Sequence, residues 1–348
     1  MKVIHRLIHS DFVIKVRHWE HWPWYIVYIP VFLYWLYLGL RARSIFFFSA
    51  SNPGIKYGGM VGESKNRILN KIPPQYIPKT LLISQEGSEN VESKMQKAGL
   101  TYPVIMKPDI GERGWKVQKI NNETQGDKYI NDVKGDIIIQ EYIDLPFEAG
   151  VFYYRMPNEK KGTISSIVVK ELLKVIGDGT STIEELVLSS DRAKLQLETL
   201  RQTLGKGFLK IPKEGEEIGL QPIGNHNLGT AFLSGNHLIN DDLTKQFDKL
   251  CLQIEGFYYG RFDLRCADAD ALYNSQFKIM ELNGAASEPA HIYHPGSSLL
   301  KAYKVLFHHW KVLYRISKQN HERGIKYITF KTGIKALKMS GRISEQGI

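Results

Sequence analysis

"YGRFDLRCADADALYNSQFKIMELNG", residues 259–284, holds two short apolar runs, FDL and FKIMEL, separated by a polar stretch. Short apolar runs bounded by polar residues read as buried strands. Each nevertheless carries a carboxylate, Asp263 in the first and Glu281 in the second, and Asn283 follows two places later. Residues i and i+2 of a strand point to one face, so Glu281 and Asn283 project together and Arg261 shares a face with Asp263. If the runs pair as neighbours, three oxygen-bearing side chains and a guanidinium converge. Hard oxygen donors of this kind suit Mg²⁺, which leaves coordination positions for phosphate. Arg261 would then stand ready for a developing phosphoryl charge. A surface hairpin with one wet face has the same alternation, so spacing alone leaves both readings open.

The remainder of the 348 residues fits a globular chain, 43% hydrophobic and 24% charged, long enough for about two domains or one two-lobed enzyme. The two cysteines, Cys251 and Cys266, form no C-x-x-C pair, which argues against a disulfide framework and suits a reducing cytosol. The formal net charge is +10, and it sits at the ends: residues 1–50 carry a net +4 and residues 311–348 a net +7, leaving the body at −1. Basic ends of this kind bind nucleic acid or an anionic membrane.

The apolar neighbour of the first basic end favours a membrane. Residues 22–40, WPWYIVYIPVFLYWLYLGL, are free of charge and rich in Trp and Tyr, the residues of the headgroup interface. The run approaches the ~20 residues that span a bilayer. Pro23 and Pro30 are expected to disturb a continuous helix. No small-residue cleavage site follows, so a secretory signal is not indicated. The segment is expected to span, re-enter or lie on a membrane, with a buried aromatic hairpin as the other reading. Nucleic acid is not expected, since no single-strand-binding pattern accompanies the charge.

Along the chain, residues 1–50 read as this anchor and 51–100 as a reduced region with helix patterns in NRILNKI and ENVESKMQKAG and a strand in TLLIS. Residues 101–145 read as strand, loop, strand and strand (PVIMKP, GERGWKVQKI, DIIIQEYI), forming a small lobe. Residues 146–310 form a large lobe of strands and helices with the opening pair, and 311–348 a basic tail. Strands and helices alternate without a regular βαβ rhythm, which predicts an α+β, two-lobed fold behind a hydrophobic N-terminal segment.

Other stretches carry chemistry less sharply. In KPDIGERGWKV, 107–117, Lys107 ends an apolar strand before a loop with Gly111 and Gly114. Glycines admit backbone N–H groups to phosphate oxygens, although an ordinary β-turn accounts for the loop by itself. GDG at 177–179 suits a tight turn, and Thr182 with Glu185 a helix capping box. GNHNLGT, 224–230, is polar and glycine-rich, and reads equally as a plain loop or as a substrate-lining segment through Asn225 or His226. Ser287, His291 and His294 follow the acidic strand, where an acceptor would sit.

Taken in order, YPVIMKPDIGERG, QEYIDLPFE and GRFDLR…IMELNG resemble the motif set of the ATP-grasp superfamily, and D-alanine–D-alanine ligases in particular. IGDGTSTIEEL, 176–186, is similar to a stretch of cyanophycin synthetases of the same superfamily. The resemblance runs from about residue 65 to 300. It implies that Lys107 holds ATP phosphates, with Lys65 and Lys170 as further nucleotide-side lysines and Gly111 to Gly114 as a phosphate lid. Glu141, Tyr142 and Ile143 would form the adenine hinge and Glu148 would take the ribose. Asp263, Glu281 and Asn283 would bind two Mg²⁺, with Mn²⁺ as a substitute, and Arg261 would lie beside the γ-phosphate.

Departures limit what is carried over. The substrate domain that precedes these motifs in D-alanine ligases is mostly replaced by the anchor, and GAASEPAHIYHP follows the acidic strand where those ligases have another sequence. The expectation is an ATP-dependent carboxylate–amine ligase at the cytoplasmic face of the membrane, acting through an acyl phosphate on small-molecule or lipid-linked substrates. A phosphotransferase on a membrane-associated acceptor, or a nucleotide-binding membrane protein without turnover, are the alternatives.

Overall fold

The computed structural model describes residues 19–84, 90–111, 114–221, 224 and 229–345, with the backbone alone for His21 and residues 340–345. The charge-free run opens it as two helices, α1 (Trp24–Val27) and α2 (Ile29–Ala42). The prolines do not kink a longer helix. Pro23 is the N-cap of α1 and Pro30 lies in the first turn of α2, where a missing N–H costs nothing. Arg43, in the left-handed region at φ 55°, ends α2. Fourteen residues reach about 21 Å, short of the ~30 Å hydrocarbon core. Among the described residues no helix is long and apolar enough to cross a membrane.

After α3 (Lys65–Leu69) the chain enters an antiparallel four-stranded sheet of order β1-β4-β2-β3. Its strands are β1 (Thr80–Ile83), β2 (Val104–Pro108), β3 (Gln118–Ile120) and β4 (Ile137–Glu141). Two helices cover it, α4 (Val91–Lys97) and α5 (Glu123–Asp132). Met95, Val104, Met106, Tyr129 and Ile139 are the centre of this small lobe's core. The helix α5 is absent from the sequence reading of 101–145. Its sequence, ETQGDKYIND, is polar with an internal glycine, and it is nucleated by the Asn122 side chain, which accepts from the Gln125 N–H.

The large lobe is an antiparallel sheet of order β11-β10-β5-β6-β9. It comprises β5 (Phe147–Arg155), β6 (Gly162–Glu171), β9 (Ala231–Ser234), β10 (Tyr259–Cys266) and β11 (Phe277–Asn283). Between β6 and β9 an excursion carries a two-stranded ribbon, β7 (Lys174–Ile176) and β8 (Glu217–Gly219), around three helices: α6 (Ile183–Ser189), α7 (Asp191–Lys194) and α8 (Leu197–Leu204). The capping box at Thr182 and Glu185 starts α6, as expected. Helix α9 (Asp241–Leu252) and short α10 (Ala269–Tyr273) pack on one face of the sheet, where Phe247, Leu250, Val151, Ile167, Phe262 and Leu264 make a continuous core.

The basic C-terminal end is helical. Helix α11 (Leu299–Glu322) runs through the expected boundary at 310, and α12 (Phe330–Glu345) follows. The inner stripe of α11, with Leu306, Val312, Leu313 and Ile316, packs on the N-terminal aromatics, Phe47 and Trp19 among them. The apolar and aromatic residues at helical spacing within 299–316 carry this stripe, and the basic residues take the other side.

Candidate active site

The opening pair folds as its alternation predicts, with one local departure. Strands β10 and β11 pair antiparallel, setting Asp263 opposite Glu281 and Arg261 opposite Asn283. All four therefore share the face turned away from the α9 core. Beyond Asp263 the register slips, so that Leu264 faces Ile279 and Met280 is the extra residue of a β-bulge. The bulge returns Ile279 to the core, where it is fully buried, and frees the Met280 carbonyl. That carbonyl accepts a hydrogen bond from Lys107 Nζ at 3.1 Å.

Lys107 thus joins the lobes. It ends β2 of the small sheet, donates to Gln140 Oε1 on neighbouring β4 at 3.0 Å, and reaches across to β11. It is 6% exposed, and burial, reinforced by Lys65, pulls its pKa down to about 8 against the pull of Glu281, Asp263 and Asp109. Lys65 opens α3 and donates to the Gly111 carbonyl of the loop after β2. Asp109 holds that junction by accepting from the Asn66 N–H at 2.8 Å. Gly114 adopts φ 73°, and residues 112–113 lie outside the described residues.

The next strands add further charges to the same face. Glu148 on β5 accepts from Lys170 on β6 at 2.9 Å and from Arg265 on β10 at 2.6 Å. Burial works to raise the Glu148 pKa, but Lys170 and Arg265 outweigh it and hold the carboxyl below its usual range. Asp263 follows the same logic: burial opposes its charge, and Arg261 and Lys170 stabilise it. Arg261 grips it through Nε at 2.8 Å and Nη2 at 3.1 Å, while Asn283 Nδ2 is 3.4 Å away. Gly150 makes room for this pair. A Cβ there would lie 3.1 Å from both Arg261 Cδ and Asp263 Oδ1, and 2.8 Å from Val168.

The hinge residues Glu141, Tyr142 and Ile143 follow β4. Glu141 accepts from the Lys79 N–H, Lys119 Nζ stands 3.7 Å from the centre of the Tyr142 ring, and the Ile143 carbonyl accepts from Arg265 at 2.9 Å. Lys65, Lys107, Gly111, Gly114, Glu141, Tyr142, Ile143, Glu148, Lys170, Arg261, Asp263, Glu281 and Asn283 all line one cavity of about 1630 Å³. Ser287 lines it too, its hydroxyl turned to the Gly284 carbonyl at 2.5 Å. The expected substrate histidines do not. His291 Nδ1 is 2.6 Å from Ser166 Oγ, and His294 Nδ1 accepts from the Ser234 N–H. Short loop spacing placed them near the acidic strand, whereas a 3₁₀ turn at Ala290–Tyr293 carries them to β6 and β9. Asn225 and His226 lie outside the described residues.

Several lining residues escaped the sequence reading. Arg265 has the parity of Arg261 and Asp263 in RFDLR, and Gln140 is a lone amide in a buried strand, so both left a signal. Glu288 left none. Its carboxylate accepts from the hydroxyls of Tyr28 and, at 2.8 Å, Tyr293, while its carbonyl accepts from Arg261. Tyr28 belongs to the N-terminal segment, which therefore forms part of the cavity wall.

Among the described residues no group of three or more His, Cys, Asp or Glu is placed to hold a metal. The candidate set here is two carboxylates and an amide. Asp263 and Glu281 sit directly across the strand pair, Asn283 is on the same face, and their oxygen chemistry fits a hard divalent cation that keeps open positions.

Residues 65–164 match the RimK-like ATP-grasp domain family. This part of the chain, from α3 into β6, is an ATP-grasp domain. No curated protein matches the sequence. Similar solved structures include a D-alanine–D-alanine ligase from Bacillus anthracis, 12% identical over 74% of this chain and 67% of that one (TM-score 0.41). The VanG D-Ala:D-Ser ligase from Enterococcus faecalis is 15% identical over 72% of this chain and 61% of its own length (TM-score 0.40). A bifunctional glutathione synthetase from Pasteurella multocida is 15% identical over 70% of this chain and 35% of its own (TM-score 0.35).

Proposed function

We propose that this ATP-grasp protein is an ATP-dependent carboxylate–amine ligase that activates its acid as an acyl phosphate. The supporting observation is the convergence, on one cavity between two lobes, of Lys107, Lys170 and Arg261 with Asp263, Glu281 and Asn283. A carboxylate is a poor acyl donor at neutral pH, and transferring a phosphoryl group to it creates a good leaving group. The carboxylate oxygen attacks the γ-phosphorus, the bond to the β–γ bridging oxygen breaks, and ADP leaves. The amine then attacks the acyl carbon and releases phosphate.

Lys107 and Lys65, close to the glycine loop, are placed to neutralise phosphate oxygens. Tyr142, Ile143 and Glu141 offer a ring face and backbone polar atoms to a base. Glu148 would exchange part of its double ion pair for ribose hydroxyls. Arg261 faces the point of phosphoryl transfer. Asp263, Glu281 and Asn283 are the residues that would hold Mg²⁺, which when bound screens the phosphate charge and orients the triphosphate.

The exposed apolar side of α1 and α2, including Trp24, Tyr25, Leu33, Tyr37 and Leu40, supports docking on a membrane surface. Arg41, Arg43 and the basic α12 supply the charge for anionic lipid, consistent with a cytoplasmic face and a lipid-linked substrate.

The test is an ADP-release screen over paired acids and amines with hydroxylamine as trap. Hydroxamate formation that depends on ATP and one acid supports ligation. A phosphorylated acceptor without amide indicates a phosphotransferase, and no turnover with any pair contradicts both.

A further inference from the structure

The cavity is larger than one nucleotide site requires. Small-molecule pockets run about 300–1,000 Å³, and this one measures about 1630 Å³. Its excess is not more of the charged site. The cavity lining also includes Trp19, Trp24, Val27 and Phe32 of the N-terminal segment with Leu306 and Trp310 of α11, several of which pack in one apolar cluster, and the charged Glu20 and Arg192 lie on the same lining.

Two features make this an arm of the site and not a separate crevice. Glu288 ties its mouth to both sides, holding Tyr28 on the aromatic side and Arg261 on the phosphate side. His309 is buried and held neutral, its pKa pushed down to about 3 by burial and by His308 and His291, so it brings no charge to the lining. At its outer end the arm meets the surface at Trp24 and Phe32, which are 54% and 42% exposed. Those two rings pack edge-on within the exposed apolar face of α1 and α2.

We propose that the aromatic arm binds a long apolar chain attached to the reactive carboxylate or amine, with the polar head at Glu288 and Arg261 and the chain leaving toward the α1–α2 surface. The assignment rests on the ligase reading for the head group only. An apolar chain gains roughly 0.8 kcal/mol for each methylene removed from water, and aromatic side chains supply large contact areas. Entry beside an exposed apolar face lets the chain pass from a bilayer into the arm without crossing water.

Native tryptophans report on this directly. Four of the six line the arm (Trp19, Trp22, Trp24 and Trp310), Trp115 lines the charged end and Trp35 packs elsewhere. Dibrominated stearate, which quenches tryptophan on contact, is titrated into the full chain as free acid and, separately, as brominated phosphatidylglycerol vesicles. Saturable quenching of more than half the emission is expected with at least one of them. The free acid indicates a chain taken from solution, and the vesicles alone a chain taken from the bilayer.

Leu306→Phe, which narrows the arm, is expected to weaken apparent affinity at least fivefold, and Phe32→Ala to change it without loss of fold. Leu33→Lys, on the outer face, is expected to leave free-acid binding unchanged. Non-saturable quenching, or quenching lost in Leu33→Lys and kept in Leu306→Phe, would mean adsorption to the surface and overturn the proposal. A fluorescent ATP analogue in the same samples separates the two readings. Chain binding without nucleotide binding sinks the ligase and keeps the arm, and nucleotide binding without chain binding does the reverse.

Discussion

The two ends of the cavity are built in opposite ways. At the charged end directional bonds hold the side chains: Glu148 accepts from Lys170 and Arg265, Asp263 from Arg261, and Lys107 donates to the Gln140 side chain and the Met280 carbonyl. At the aromatic end the walls meet mainly by ring contacts and apolar packing, with Glu288 and its tyrosines at one side and Glu20 and Arg192 also on the lining. Directional bonds fix positions to fractions of an ångström, which phosphoryl transfer needs. Non-directional packing tolerates variation in what fills it, which suits a chain-like group.

The sharpest break of this comparison is at the acidic pair. Asp263→Asn and Glu281→Gln should each reduce ATP-dependent turnover at least 10²-fold, in line with losing a preorganised charge at the transferring group. Thermal unfolding should move little in Glu281→Gln. In Asp263→Asn it should fall, because Arg261 and Lys170 lose a buried partner. Equal turnover in wild type and variants would remove the phosphate end from the chemistry.

Removing Glu148 tests the cost of the ion-pair style of construction. Glu148→Ala removes the carboxylate shared by buried Lys170 and Arg265, leaving them Asp263 and the Ile143 carbonyl, and should cost about 3 kcal/mol in denaturant unfolding, the range for breaking a buried pair from one side. The sign with pH follows from its depressed pKa. The stabilisation is present above the ordinary glutamate range and is lost as pH falls through the folded-state value, so wild type and variant should converge in acid.

How far the sequence foretold each end differs as well. The charged end was partly legible because strands obey a period of two: Arg261 shares a face with Asp263 and Glu281 with Asn283, while the pairing that brings all four together is seen only in the structure. Even there the bulge at Met280 was hidden: a strict alternation puts Ile279 beside Glu281, and only the paired strand reveals the extra residue. The aromatic end was legible only as a charge-free run. That Tyr28 and Phe32 form a wall of the cavity depends on α11, some 270 residues away in sequence, and nothing local encodes that meeting. Helix α5 was missed for a third reason, since its polar sequence is stabilised by a cap and by Tyr129 buried in the small lobe. His291 and His294 are near the acidic strand in sequence but not on the cavity lining, because the 3₁₀ turn at Ala290–Tyr293 carries them to β6 and β9.

A titration of nucleotide affinity sharpens the role of Lys107. With a pKa near 8, the lysine loses its charge as pH rises through that value. Bound phosphate raises it, so the ATP dissociation constant should increase by up to tenfold per pH unit above about 8 and be flat below. Lys107→Met should bind weakly and without this dependence. A smaller effect is expected at the junction. Tyr28→Phe removes one hydroxyl from Glu288 and should cost about 1 kcal/mol in stability, raising the KM of the second substrate while leaving that of ATP unchanged.

The most direct test of the central claim is calorimetric titration of ATP into the full chain with and without Mg²⁺. The account requires one nucleotide per chain, tighter with Mg²⁺, with the Mg²⁺ enhancement abolished in Glu281→Gln. Binding that is absent, or indifferent to both the metal and Glu281, would contradict it.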